Sequence, residues 1–414
     1  LTELEKVKNY LLFLSARLPG GRRQGLAARI NDAWSDVYRY LLEVAAVSST
    51  GEDQFLRAHW LAAVDPVPVR WKGTPSVKRH FDRNRYVDAP DLLVDEVGAY
   101  VDSLKRAAQS FADSLRPDVQ AFGQFGEQAT IARAVHAQLA RARTVAVFQP
   151  MMIALCELLP RDGQTYSEVM DLCLRFAVRT YLFRGYRADA GQTRLYRLAH
   201  EMWNRRMSPA ELREALRRLV HGYADDDSVR AAMLDMEDNW YRWGGLRYFL
   251  YEYELHLLGG ARPETDWLYF DKERREKTVE HILPQTAKDQ YWTERFTKRE
   301  RDRLTDVLGN LVLTRDNSSY SNKPFPDKRG AAGPGEPTRA CYAQATLKQE
   351  QELARLSDWT PDTLRERQER LAAWALQRWA VEPPGGEVAA TQLDDDDPET
   401  AVLGPPDEAL TTGG

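Results

Sequence analysis

Cysteine is scarce in this chain. Cys156, Cys173 and Cys341 are the only three, they lie far apart, and none stands in a CxxC pair. That spacing excludes a zinc knuckle and points to a reducing, cytoplasmic setting. Long apolar runs are missing too. No stretch of about 18 apolar residues occurs and no signal peptide is recognisable, so no membrane span is expected. No fixed repeat period emerges, which argues against a solenoid. Strand signals are nearly absent before residue 277. Positive charge is not in excess: 57 Lys and Arg stand against 62 Asp and Glu, a net −5. The molecule as a whole therefore lacks the charge of a nucleic-acid binder, although a local basic surface can coexist with an acidic total. An initiating Met is also lacking. The chain enters a helical pattern at Leu1, as a fragment would if an N-terminal part preceded it.

What is present reads as helix. Hydrophobic residues make up 43% of the chain and charged residues 29%, enough of each for a soluble protein with a sizeable core. Leu4, Val7, Leu11 and Leu14 recur at helical spacing before Pro19-Gly20-Gly21 breaks the pattern. Ile30, Trp34, Val37, Tyr38, Leu41 and Leu42 lie on or near one face in a second segment. Val94, Val97, Val101 and Leu104 do so in a third. Further helices are expected over 131–145, 149–160, 166–184, 190–204, 209–220 and 227–236. Between Asp65 and Pro90 the composition predicts an irregular connection. Its basic run WKGTPSVKRH reads as a solvated loop or, alternatively, a phosphate contact. The aromatic run from Trp240 to Tyr253 predicts one packed helix around Gly244 and Gly245; core rings are favoured over a base-stacking platform. Tyr342–Leu356 and Pro361–Trp379 read as helices, the second starting at Thr360 as N-cap with Pro361 at the first helical position. GAAGPGEP, from Gly330, reads as a flexible loop. From Glu382 onward the chain reads as a disordered acidic tail that includes Asp394–Asp397.

One stretch, Thr278 to Lys328, differs from the rest. TVEHIL is rich in β-formers and ends at Pro284, which has no N–H for a ladder. Leu311-Val312-Leu313 is a second short strand, entered through Gly309-Asn310. The two strands can pair, with a helical excursion over Trp292–Val307 between them and a Ser-rich turn or short helix after Arg315-Asp316-Asn317. One His, one acid and several Asn then come together. A neutral His takes a proton from water near pH 7. Carboxylate and amide oxygens suit a hard divalent cation. Lys323, Lys328 and Arg329 follow as basic candidates for neighbouring phosphates.

The segments EHILPQ, LGNLVLT and SNKPF, in that order, resemble the HNH, or ββα-metal, nucleases. More closely, they resemble the C-terminal nuclease domain of GmrSD/SspE-type phage-defence proteins. LTELEKVKNYLLFL is similar to the end of that family's N-terminal nucleotidase domain, and LRERQERLAAWALQRW to its closing helix. The resemblance implies that His281 is the general base and that Asn310 tethers the loop carrying it. It places Asn317 at the last motif position as a catalytic metal ligand, with Asn322 as a rival and Glu280 as a further ligand. The DGQQR-like motif of the nucleotidase is absent.

The resulting expectation is a mainly α protein, a multi-helical scaffold with an embedded ββα-metal (HNH) unit. Residues 1–20 would close an upstream nucleotidase-like domain or form a linker helix. Residues 21–260 would be scaffold, 261–381 the nuclease domain with closing helices, and 382–414 the tail. The implied function is a Mg²⁺- or Mn²⁺-dependent DNA endonuclease, a nickase, in anti-phage restriction. A nucleotidase or sensor domain in cis would lie outside this sequence, and phosphorothioate or glucosylated hydroxymethylcytosine would be the modification read. An inactive DNA- or partner-binding module and an RNA-cleaving HNH nuclease are the alternatives.

Overall fold

A computed structural model describes residues 1–44, 51–330 and 341–385. Two compact units emerge: one holds Leu1–Ala177 with Ala188–Val220, the other Val178–Arg187 with His221–Val381. Residues 221–260, assigned to the scaffold by the sequence reading, therefore pack with the strands. The flexible loop expected from Gly330 and the tail expected from Glu382 fall, beyond residues 330 and 385, outside the described residues. Among the described residues no helix is long and apolar enough to cross a membrane.

The first unit is helical. In chain order its helices are α1 (Glu3–Ser15), α2 (Gly20–Val44), α3 (Gly51–Ala63), α4 (Thr74–His80), α5 (Pro90–Leu115), α6 (Ala129–Arg141), α7 (Val145–Leu158), α8 (Gly163–Ala177) and α9 (Gln192–Trp203). The helix α10 (Pro209–Ala224) follows. Thr2 caps α1 in a capping box with Glu5, and Leu4, Val7, Leu11 and Leu14 are buried as their spacing predicts. α5 packs along α2, and the almost wholly apolar α7 lies against α3, α5 and α9. The basic run expected to be an irregular loop contains α4 instead: Pro75 in its first turn fits the helix geometry, and Val77 is fully buried.

The second unit contains α11 (Asp226–Met233), α12 (Leu246–Leu257), α13 (Trp267–Lys272), α14 (Arg275–Thr278), β1 (Val279–His281), α15 (Gln290–Arg295) and α16 (Lys298–Leu304). It continues with β2 (Leu311–Leu313), α17 (Asn317–Tyr320), α18 (Phe325–Arg329), α19 (Lys348–Leu353) and α20 (Pro361–Arg378). β1 and β2 are antiparallel, with Val279 opposite Leu313, Glu280 opposite Val312 and His281 opposite Leu311. Every residue of both strands is buried.

A two-stranded sheet leaves edges with unpaired backbone groups, and here side chains satisfy the outer edge of β2. Gln349 Oε1 accepts from Leu313 N at 3.0 Å, and Arg367 donates to Gly309 O at 2.7 Å and Leu311 O at 2.9 Å. Gln368 accepts from Gly309 N at 2.8 Å. A Cβ at Gly309 would stand 2.6 Å from Leu364 O, so only glycine lets the turn approach α20 this closely. Thr360 caps α20 with Pro361 in its first turn, as read from sequence.

Two helical expectations are corrected in this unit. Trp240–Tyr253 is not one helix: Trp240–Arg242 form a single 3₁₀ turn, and α12 begins only at Leu246. Trp243 breaks the run by turning its indole to donate to Leu182 O at 2.9 Å. Tyr342–Leu356 likewise splits into a 3₁₀ turn and the short α19, because Tyr342 is drawn into the core against Tyr320 and Phe325.

Candidate nuclease site

A cavity of about 370 Å³ opens between the end of β1 and α17, and Glu280, His281, Arg315, Asn317 and Asn322 all contribute to its wall. Lys277 and Tyr269 line it as well. The strand pairing brings these residues together. β1 ends with Glu280 and His281, and β2 leads through Thr314 and Arg315 into α17.

His281 is the last residue of β1 and is 8% exposed. Its Nε2 lies 2.9 Å from Asp306 Oδ1, and its ring sits 4.4 Å from that of Tyr241, centroid to centroid. The hydrogen bond from His281 holds the Asp306 carboxyl below its usual range, against the opposing effect of burial.

Asn310 does not line the cavity. It is fully buried and ties the chain beyond His281 to the β2 side. Its Oδ1 accepts from Leu283 N at 2.7 Å, and its Nδ2 donates to Leu283 O at 2.8 Å and Thr305 O at 2.7 Å. An amide side chain matches a backbone N–H and C=O at once, which a carboxylate cannot do.

Glu280 is 3% exposed, and Lys328, fully buried, lies with its Nζ 2.6 Å from Glu280 Oε1. Burial pushes Glu280 up to about 7 and Lys328 down, while their pairing pulls each back toward its charged form. Lys328 also donates to His281 O at 2.9 Å and Ile282 O at 3.1 Å. An ammonium has three hydrogens, and all three are directed at the protein. Lys328 is therefore a strut for the end of β1, which corrects its expected role as a phosphate contact.

The other two basic candidates lie off the cavity wall. Lys323 Nζ donates to Ser319 O, and Arg329 donates to Leu356 O and Ser357 O at 3.2 Å each. The cations on the wall are Arg315, exposed, with its guanidinium 5.3 Å from the ring centre of Tyr269, and Lys277, paired with Glu273 at 3.1 Å.

Asn317 opens α17. Its Nδ2 donates to Glu276 O at 2.5 Å, which leaves its side-chain oxygen for another partner. Asn322 follows Ser321, whose φ of 47° is a strained value for a residue with a side chain. α17 is held from below by Glu350, whose buried carboxylate accepts from Thr314 at 2.8 Å and Tyr320 at 2.7 Å. Burial pushes Glu350 up to about 8.

Residues 223–374 match the family model described as GmrSD restriction endonucleases, C-terminal domain. Both strands, the cavity and most of α20 lie inside that span. No curated protein matches the chain. The GmrSD match supports an endonuclease reading of this region, with DNA as the substrate that the family's description implies.

Several parts of the GmrSD-like region are not visible in the sequence motifs. Asp306 sits in the charged run KRERDRLTD with nothing to distinguish it. Tyr241 lies forty residues before His281, in an aromatic run. Arg367 and Glu350 resemble ordinary helix-surface residues until burial and hydrogen bonding are seen. Arg315 carried a faint signal, its place between β2 and Asn317.

Proposed function

We propose that the second unit is a metal-dependent DNA endonuclease of an anti-phage restriction system, with β1, β2 and α17 serving as a ββα-metal unit. The observation that carries this reading is one cavity that gathers His281, Glu280, Asn317 and Asn322 within a GmrSD C-terminal match. His281 takes a proton from the attacking water. Asn310 keeps the chain after His281 fixed, so the base approaches the phosphate on a rigid strand end. Arg315 and Lys277, at the cavity wall, hold the phosphate groups that flank the scissile one.

The donor set suits a hard cation. Among the described residues no three His, Cys, Asp or Glu side chains converge, so zinc ligation of the usual kind is not assembled from them. Glu280 supplies a carboxylate beside the amide oxygens of Asn317 and Asn322. Mg²⁺ and Mn²⁺ are commonly held by one or two carboxylates and water. When bound, such an ion stabilises the charge that develops on the phosphoryl oxygens and the leaving 3′-oxygen. Buried in a low-dielectric setting, Glu280 has a strong preference for a cationic partner, which Lys328 meets at one oxygen only.

One such site cuts one strand. Supercoiled plasmid incubated with the protein and Mg²⁺ or Mn²⁺ is expected to accumulate open circles, and chelation is expected to stop the reaction. Rapid linear product would indicate paired sites instead. Cleavage of RNA in a parallel assay, with plasmid left intact, would reassign the substrate.

A further inference from the structure

We infer that Asp306 is a positioning residue that selects the tautomer of His281. This rests on the reading of His281 as the base. Asp306 stands between α16 and the Leu308–Asn310 turn, far in sequence from β1. Both of its carboxylate oxygens are committed: Oδ1 lies 2.9 Å from His281 Nε2, and Oδ2 accepts from Asn239 Nδ2 at 3.0 Å. Its backbone carbonyl accepts from Tyr241 N at 3.2 Å, and the ring of Tyr241 packs on the imidazole. Arg275 donates to the Tyr241 carbonyl, and its guanidinium lies 5.7 Å from the Tyr241 ring centre, which secures that ring in turn. The imidazole is thus held on its edge and on its face by groups that are themselves held.

An ionised carboxylate can only accept, so the Nε2 facing Asp306 carries the hydrogen. The lone pair of the neutral ring then resides on Nδ1, and Nδ1 is the atom that takes the proton from water. The water oxygen forms its bond to phosphorus as the bond from phosphorus to the 3′-oxygen breaks. The leaving oxygen gains a proton from solvent, and the proton on Nδ1 returns to solvent afterwards. Asp306 stays the acceptor of the Nε2–H throughout, so the ring keeps Nδ1 turned to the water. Without it, the ring can take the opposite tautomer, with a hydrogen on Nδ1 and no lone pair there.

Two readouts on the full chain test this. In protein labelled with ¹⁵N-histidine, the His281 signal is assigned by its loss in His281→Gln. Wild type at a pH where the ring is neutral is expected to show a protonated Nε2 and a bare Nδ1; a protonated Nδ1 would overturn the inference without any Asp306 variant. Asp306→Asn is expected to lower kcat for plasmid nicking by roughly 10- to 100-fold with KM unchanged, and to shift His281 toward a mixture of tautomers. Asp306→Glu is expected to restore part of kcat. A folded Asp306→Asn protein with wild-type kcat and tautomer overturns the inference. So does a loss of activity that follows melting temperature alone while the tautomer stays as in wild type. If His281→Ala itself cuts at the wild-type rate, the base reading fails, which is a separate outcome.

Discussion

At the scale of single residues, one buried lysine and one exposed arginine are expected to behave differently when replaced. Lys328 is fully buried against Glu280, so replacing it by Met strands a carboxylate in the interior. Breaking a buried pair from one side costs ~3–5 kcal/mol. Lys328→Met is therefore expected to lower the denaturation midpoint sharply in urea titration, and an unchanged midpoint would show that the pair is dispensable. Arg315 is exposed at the cavity wall and makes no ion pair among the described residues. Arg315→Ala is expected to keep the midpoint, weaken DNA binding, and lower the slope of log affinity against log salt by about 1. The basic residues next to the SNKPF segment looked alike in sequence. A lysine is ordinarily solvent-facing, and only its partners Glu280, His281 and Ile282, brought in by the fold, reveal Lys328 as internal.

At the scale of elements, the site depends on supports from the C-terminal helices. Gly309 lies under α20, and an added methyl group would meet Leu364 O at 2.6 Å. Gly309→Ala is expected to cost ~1–3 kcal/mol, as overpacking does, and to reduce nicking by shifting Asn310. Circular dichroism melts together with plasmid assays would check this. Glu350 braces α17 from α19, and burial pushes its carboxyl up to about 8, well above the ordinary 4.5. The folded form binds the proton more tightly than the unfolded one. Its contribution to stability is thus complete below about pH 4.5 and is lost as pH rises through about 8. Glu350→Gln is expected to flatten that part of the stability–pH curve and to equal or exceed wild type at pH 8. An unchanged curve would remove Glu350 as its source.

The strands were legible because β-formers, Pro284 and the glycine turn agree locally, and the helix starts at Thr2 and Thr360 because capping chemistry is local. The break at Trp243 was not, since an aromatic run keeps helical periodicity whether or not an indole turns aside to bond Leu182. Asp306 was not legible for a related reason: what sets it apart is its partner on β1, twenty-five residues earlier.

At the scale of the whole molecule, the net −5 charge argued against nucleic acid, yet the cavity wall carries Arg315 and Lys277. A total over the chain says little about one wall. The mainly helical class follows from composition and periodicity over most of the length. The motif stretch was distinguishable because its three segments occur together and in order, while each alone is an ordinary strand end, turn or loop. The unit boundary was less legible. Residues 221–260 share the helical character of the first unit, and only their packing assigns them to the second.

The most direct test of the central claim is nicking of supercoiled plasmid by wild type and His281→Ala, side by side in Mg²⁺ and Mn²⁺, with folding and DNA binding of both proteins measured in parallel. General-base catalysis contributes on the order of 10² to 10⁴ in rate, so the variant is expected to stay folded, bind DNA and leave the plasmid nearly uncut. Open circles formed by His281→Ala at the wild-type rate would contradict the account.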